Sequence, residues 1–515
     1  MMIMKEYSRI LQIAIMIASS SLAVNAQTPY DAAQYATEEL NGTSRYVGMG
    51  GALSALGGDI STMGTNPAGT GMFRKGEISI TASAVISGVG GVLGADKVKA
   101  SLDQAGLLLP IPTDEDSKVA GVVFGLNIHK TKNFFGNTDT DVNGLNGVFS
   151  QTNQIADLAN QSLAYDSWGA LSSLSVPVYT DDIVDDDHFQ YDGIVCTESD
   201  PTTHKLLGYS GVGAAAAHYQ RATWGSTMAV DMNFSMNVSN QFFFGGSIGV
   251  YDVESRRDSK YEELGIDGTY YDFNNYYDTK GSGLDIKLGT IIRPFEDNPF
   301  RIGAYIHTPI WYNLKDINGT QVNCYGPTDA LLYSDRADYD PYEYRLRTPW
   351  KFGLSLGTTV DNYFAVGLDY EYQDLASCKY SVKGGGTSNY FEYQNSMMKE
   401  ILQGQHTLRV GMEVKPTDEI SVRCGYNYVS APMKDSGYNL LACDGPFTET
   451  DYTNWKATNR ITFGLGYRYK TGYFDLTYQY SSQKGDFYAF DDISLTPTEI
   501  KNNHSQIMAT LGFRF

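Results

Sequence analysis

The amino-acid sequence predicts an all-β protein, a 14-stranded antiparallel transmembrane β-barrel with long extracellular loops. Three observations predict it. The segment Ser505 to Phe515 places Ile507, Ala509, Leu511, Phe513 and Phe515 on one face at period two. Gln506, Thr510, Gly512 and Arg514 take the other face, with Met508 as its one apolar member, which suits a wall between lipid and water. Many earlier segments alternate in the same way and meet across tight turns. Beyond the first residues no stretch approaches eighteen apolar residues, so there is no transmembrane-helix signal, while 53 Gly and 38 Tyr suit a small-residue lumen and aromatic girdles.

The elements follow in order. Lys5 and Arg9 precede the apolar run Ile10 to Ile17, and small residues then lead to Val24-Asn25-Ala26. This reads as a secretory signal over residues 1–26, with Gln27 as the first mature residue. Residues 27–76 lack strand alternation and precede the first strand, and residues 77–515 form the barrel. Thr223 to Val238 meets Gln241 to Arg256 across Ser239-Asn240, and Gly281 to Pro294 meets Phe300 to Leu314. Tyr344 to Val360 meets Tyr363 to Gln373 across Asp361-Asn362, and Gly404 to Lys415 meets Ile420 to Val429 across Pro416 to Glu419. Asn459 to Lys470 meets Tyr473 to Ser482 across Thr471-Gly472.

Between these hairpins the connections read as long, the largest being residues 131–222, so short turns mark one barrel end and loops the other. Parity completes the count. Counting back from Phe515, Thr223 begins a descending strand, so Lys118 to Lys130 and Glu77 to Ser87 both ascend. One descending strand must lie between them, and Ser101 to Pro110, with a turn at Pro112 to Asp116, supplies it. Within the long insertion, Ile155, Leu158, Ala159 and Leu163 share one face of a helix expected in residues 151–171.

Charge alternation sets the register. Asp285 and Lys287 oppose Leu284, Ile286 and Leu288; Asp369 and Glu371 oppose Leu368, Tyr370 and Tyr372; Arg409 and Glu413 oppose Leu408, Val410 and Met412. An Arg or Lys on the lipid face near mid-membrane costs about 2–4 kcal/mol, so these charges point inward. Inward Lys287, Arg409, Arg423 and Arg468 are candidate partners for a ligand's polar end. The alternative is that they pair with inward acids such as Asp285, Glu413 and Asp475.

Residues 27–76 contain Arg45-Tyr46-Val47-Gly48-Met49-Gly50-Gly51-Ala52, then Ala55-Leu56-Gly57-Gly58-Asp59, then Asn66-Pro67-Ala68-Gly69 just before the first strand, a segment that the following resemblance makes a hatch. This order resembles the FadL/TodX family of outer-membrane transporters for hydrophobic compounds, long-chain fatty acids among them. The resemblance implies a lumen blocked by the hatch, with Asn66, Pro67, Ala68 and Gly69 in its moving part, and lateral release through the wall. It places the wall opening at an inward kink of an early strand, for which Gly125 in the third strand is the candidate. The aromatic end of the closing strand resembles the signal read by the barrel-assembly machinery of the bacterial outer membrane. The expected partners are therefore that machinery, the surrounding lipid and a fatty acid-like molecule, the protein acting as a monomer. Some barrels resembling this family instead act as surface adaptors of a type IX secretion system, a role that large acidic loops suit.

Other chemistry is weakly supported. A formal charge of −21 argues against nucleic-acid binding. Asp181-Asp182 and Asp185 to Asp187 lack calcium-loop spacing. Gly245 to Gly249 and Gly353 to Gly357 match G-x-S-x-G, but both lie within alternating strands rather than at a strand-to-helix elbow. The seven histidines are scattered, so neither a metal nor a cofactor nor an enzyme is expected. Cys196, Cys324, Cys378 and Cys443 are placed in extracellular loops, where an oxidising envelope permits two disulfides of undetermined connectivity, and Cys424 on the lipid face.

Overall fold

The computed structural model describes residues 27–515 except 112, 114–116, 167, 177–193, 201, 204, 296, 385–390, 442–447 and 493. The secretory signal, the Asp181 to Asp187 run and Cys443 lie outside the described residues. Fourteen barrel strands close on themselves in one antiparallel sheet. They are β1 (Glu77–Ser87), β2 (Val98–Ile111), β3 (Val119–Asn133), β4 (Ala214–Val238), β5 (Phe242–Gly265) and β6 (Tyr270–Ile292). Three split strands follow: β7 (Arg301–His307 and Trp311–Tyr325), β8 (Tyr342–Arg347 and Lys351–Val360) and β9 (Phe364–Asp374 and Lys379–Val382). The wall ends with β10 (Gly404–Val414), β11 (Ile420–Val429), β12 (Tyr452–Tyr469), β13 (Gly472–Tyr488) and β14 (Thr498–Arg514). β1 and β14 pair from Glu77↔Arg514 to Ser87↔His504 and seal the barrel. No helix among the described residues is long and apolar enough to cross a membrane.

The alternation puts apolar side chains outside. Ile507, Leu511 and Phe513 are exposed, whereas Met508 and Thr510 of the opposite face are fully buried. Ile78, Phe124, Phe234, Leu288 and Phe463 continue this exposed apolar belt around the wall. The short-turn end matches expectation: Ser239 and Asn240 both adopt positive φ (54° and 55°), the twist that suits a two-residue hairpin.

The loop end departs from it. β5 and β6 run on to Gly265 and Tyr270 and join across four residues, 266–269, where a long loop was expected after Arg256. Periodicity had continued there, but polar residues on both faces hid it: this upper sheet needs no lipid-facing row. β3 and β4 likewise extend into the 131–222 insertion, through a short strand Gly136–Asp141 that pairs with β4. The expected loop helix forms as two, Gln151–Tyr165 and Ala170–Ser175, with Ile155, Leu158 and Ala159 buried in a loop core. Cys324 lies on β7 and Cys378 in the break of β9, both buried, rather than in loops; these two, Cys196 and Cys424 are free thiols.

The hatch, residues 27–76, occupies the lumen. It holds a helix Pro29–Ala36, a short helix Ser44–Gly48 and two 3-10 turns, Ile60–Gly64 and Pro67–Met72.

Candidate functional site: the hatch and the cavity above it

Thr28 begins the hatch as a reciprocal cap. Its Oγ1 accepts from the Asp31 N–H (3.1 Å), and Asp31 Oδ2 accepts from the Thr28 N–H (3.1 Å). The capped Asp31 is thereby presented to Arg257 of β5 (3.2 Å). Lower down, Ser44 donates its N–H to Thr510 Oγ1 (2.7 Å) and Arg45 meets Glu413 Oε2 (3.1 Å).

Asn66 is held by three bonds. Its Oδ1 accepts from the Ala68 N–H (3.2 Å), while Nδ2 donates to the carbonyls of Ser54 (2.9 Å) and Thr290 on β6 (3.1 Å). Pro67 starts the 3-10 turn, where its missing N–H costs nothing. Thr70 Oγ1 then donates to Asn233 Oδ1 (2.7 Å) and lies 2.8 Å from Ser235 Oγ. Gly69 packs inside the hatch, where an added Cβ would sit 2.7 Å from Thr62 Oγ1.

Glycines on the wall receive the hatch backbone. A Cβ at Gly245 would meet the Pro67 carbonyl carbon at 2.4 Å, one at Gly411 the Met49 oxygen at 2.1 Å, and one at Gly425 the Gly50 nitrogen at 2.2 Å. Gly245 belongs to one of the two G-x-S-x-G matches, which thus serves hatch packing within β5. Gly125 receives a hatch side chain instead: its Cβ would lie 2.0 Å from Met63 Cε. The ladder runs unbroken through Gly125, which pairs with Leu108 and Asn233.

Pairing is lost a turn higher. The β2–β3 ladder ends at Gln104↔His129, although β2 continues up beside β1 and β3 beside β4. Side chains span the resulting slot: Lys130 Nζ reaches Ser101 Oγ, and Asn137 Nδ2 donates to the carbonyls of Gly90 (2.9 Å) and Asp96 (3.2 Å).

The inward cations divide. Lys287 is buried between Asp231 (2.7 Å) and Asp285 (3.0 Å), with His129 on the other oxygen of Asp231 (2.8 Å). Arg409 pairs with Glu371 (3.3 Å), whose second oxygen accepts from Tyr305 (2.7 Å). Arg423 bridges Glu413 (2.6 Å) and Asp475. Arg468 is exposed near the short-turn rim, its N–H on the Glu419 carbonyl (2.8 Å). Three of the four therefore meet acids, the alternative that the sequence offered.

The open space lies elsewhere. A cavity of about 300 Å³ sits between the upper hatch and the loop end, within the range of small-molecule sites. Tyr30, Phe134, Phe135 and Trp455 give it aromatic walls, and Arg221, Arg257, Arg460 and Lys132 line it with charge. Arg257 pairs with Asp31 and Glu449, and Arg221 with Asp451. Arg460 instead donates to Asn427 Oδ1 (2.9 Å) and also lines a cavity of about 50 Å³ below. The sequence did carry a signal for Arg460, since it alternates inward with Thr462 and Gly464 opposite Ile461 and Phe463. No group of side chains among the described residues is arranged to hold a metal ion.

No family model and no curated relative matches this chain. Among solved structures the chain is similar to the P. putida toluene transporter TodX, at 12% identity and a TM-score of 0.47 over 93% of this chain and 99% of that one. It is also similar to the CymD monoaromatic hydrocarbon channel (11%, TM-score 0.46, 94% and 98%). A Pseudomonas aeruginosa FadL homologue is similar as well (13%, TM-score 0.45, 93% and 98%). The functional reading rests on the lumen's own geometry.

Proposed function

We propose that this chain is a bacterial outer-membrane channel for passive uptake of hydrophobic molecules of the fatty-acid type. Capture occurs in the upper cavity, the hatch rearranges around Asn66 to Gly69, and the molecule leaves sideways through the slot between β2 and β3. One observation carries the reading: a hatch bonded to the wall closes the lumen directly beneath a cavity that it helps to line. A plug that only sealed the barrel would need no such space above it.

Thr70 and Ser235, whose hydroxyls lie 2.8 Å apart, provide the test. Thr70→Cys with Ser235→Cys joins hatch to wall under oxidation and frees it under reduction. Uptake of a labelled fatty acid into cells should fall under oxidation and recover with reductant; equal uptake in both states would show that the hatch does not gate. A surface adaptor is the second reading, favoured by Val148, Leu207 and Ile266, which stand 63–64% exposed on the loop end. Locking the hatch would leave such a role intact, whereas deleting residues 142–213 would abolish it.

A further inference from the structure

Gln27, at the head of the hatch, is fully buried, and its Nε2 donates to Asp316 Oδ2 on β7 (2.8 Å). Asp316 is itself only 2% exposed and accepts three further bonds. They come from the Tyr277 hydroxyl (2.6 Å) and Thr279 Oγ1 (2.7 Å) on β6, and from the Tyr344 hydroxyl on β8 (3.3 Å). The Tyr380 hydroxyl of β9 donates to the Thr28 carbonyl (2.9 Å), so the wall from β6 to β9 closes around the first hatch residues.

Every one of these donors to Asp316 is neutral. No ion pair among the described residues includes this carboxylate. Arg257 of β5 stacks over the Tyr277 ring (4.8 Å to its centre), but it is bonded to Asp31 (3.2 Å) and Glu449 (3.0 Å). Three carboxylates, Asp316, Asp31 and Glu449, therefore face one guanidinium. Tyr35 of the hatch helix, with Tyr277, Tyr344 and Tyr380 of the wall, adds only phenols, which carry no charge at neutral pH. A buried carboxylate is costly unless a cation meets it.

A cation is available on Gln27 itself. In the unprocessed chain its backbone nitrogen is an uncharged amide. Hydrolysis of the Ala26–Gln27 peptide bond consumes one water; the carboxylate departs with the leader and the protonated amine stays on Gln27. That ammonium arises within one side chain's length of Asp316, because Gln27 already holds this carboxylate through Nε2.

We propose that the α-ammonium liberated at Gln27 by a signal peptidase is the counter-ion of Asp316, so that removal of the leader completes the electrostatic docking of the hatch. This role is independent of what the channel carries.

The test uses the full chain purified from outer membranes. Intact mass and amino-terminal sequencing should show Gln27 first, with a free amine. Another start, or the cyclised form lighter by one ammonia, overturns the proposal. Competitive acetylation with trace acetic anhydride, read in the amino-terminal peptide by mass spectrometry, then gives the titration of this one amine. An ordinary α-amine titrates at about 7.7–8.0. Burial alone lowers that value, and a carboxylate partner raises it. The wild-type midpoint should lie at about 9 or higher, which slows acetylation about tenfold at neutral pH. Asp316→Asn should bring the midpoint into the ordinary range or below it. Heat-modifiable gel migration checks that the variant holds a folded barrel, and should it not fold, the wild-type midpoint decides alone. A wild-type midpoint within or below the ordinary range overturns the proposal, as does an unchanged midpoint in folded Asp316→Asn.

Discussion

The lower and upper halves of the lumen are built on opposite principles. Below, the hatch backbone lies against wall glycines, and the lumen charges close into bridges such as Arg45–Glu413–Arg423–Asp475. Above, the wall presents Tyr, Phe, Trp and long polar side chains around open space, several of whose polar atoms have no protein partner. Backbone against glycine leaves no room for a ligand and gives close packing; large, incompletely paired side chains do the converse. Close packing and open space are thus separated by height, and the helix Pro29–Ala36 reaches the upper wall through Asp31 and Arg257.

The lower half should break most readily at its charges. Arg423→Met withdraws the guanidinium shared by Glu413 and Asp475, leaving buried carboxylates short of a partner, and should cost about 3–5 kcal/mol. Urea titration followed by gel migration would measure it; a loss under about 1 kcal/mol would mean that the network is not needed for the seal. Packing comes next. Gly425→Val drives a side chain into the Gly50 backbone, 2.2 Å from its first added carbon, and should cost about 1–3 kcal/mol. The displaced hatch should also raise ion conductance in planar bilayers, and unchanged conductance would place the seal elsewhere.

The two halves were unequally legible in the sequence. Most strands, the tight turns and the inward charges followed from period-two alternation, because lipid enforces that pattern on one face of every strand. The descending β2 was fixed by parity. Above the lipid the constraint lapses, so the upper reaches of β5 and β6 passed for loop. Pairing choices were also beyond pattern: Lys287, Arg409 and Arg423 alternate inward like Arg460, yet only a three-dimensional arrangement shows that acids reach the first three. Gly125 illustrates the limit well, since glycine marks close approach and bending alike, and here it admits Met63.

A smaller effect probes the junction at the Asn66 motif. Asn66→Ala removes donors from the Ser54 and Thr290 carbonyls and the acceptor for the Ala68 N–H, and should cost about 1–2 kcal/mol. Loss confined to the hatch would appear as faster proteolysis of residues 60–72 with the barrel's own gel shift preserved. Global unfolding at the same urea concentration would instead show that hatch and barrel melt as one unit.

The smallest expected effect concerns the roof. In the connection between β13 and β14, Asp491 accepts from the Leu441 N–H (2.8 Å), and burial pushes its carboxyl up to about 7, helped by the charge of neighbouring Asp492. An unfolded aspartate titrates near 4. The folded loop therefore holds this proton more tightly than the open one, so the stabilisation is complete below about pH 4 and is lost as pH rises through about 7. Leu441 and the 489–492 segment should show less protection from hydrogen exchange at pH 8 than at pH 6, after correction for the intrinsic exchange rate. Asp491→Asn should remove that slope, because an amide keeps the acceptor without the charge. A wild-type profile that is flat from pH 6 to 8, or a slope that survives in the variant, would mean that the roof of the upper half is indifferent to this carboxyl.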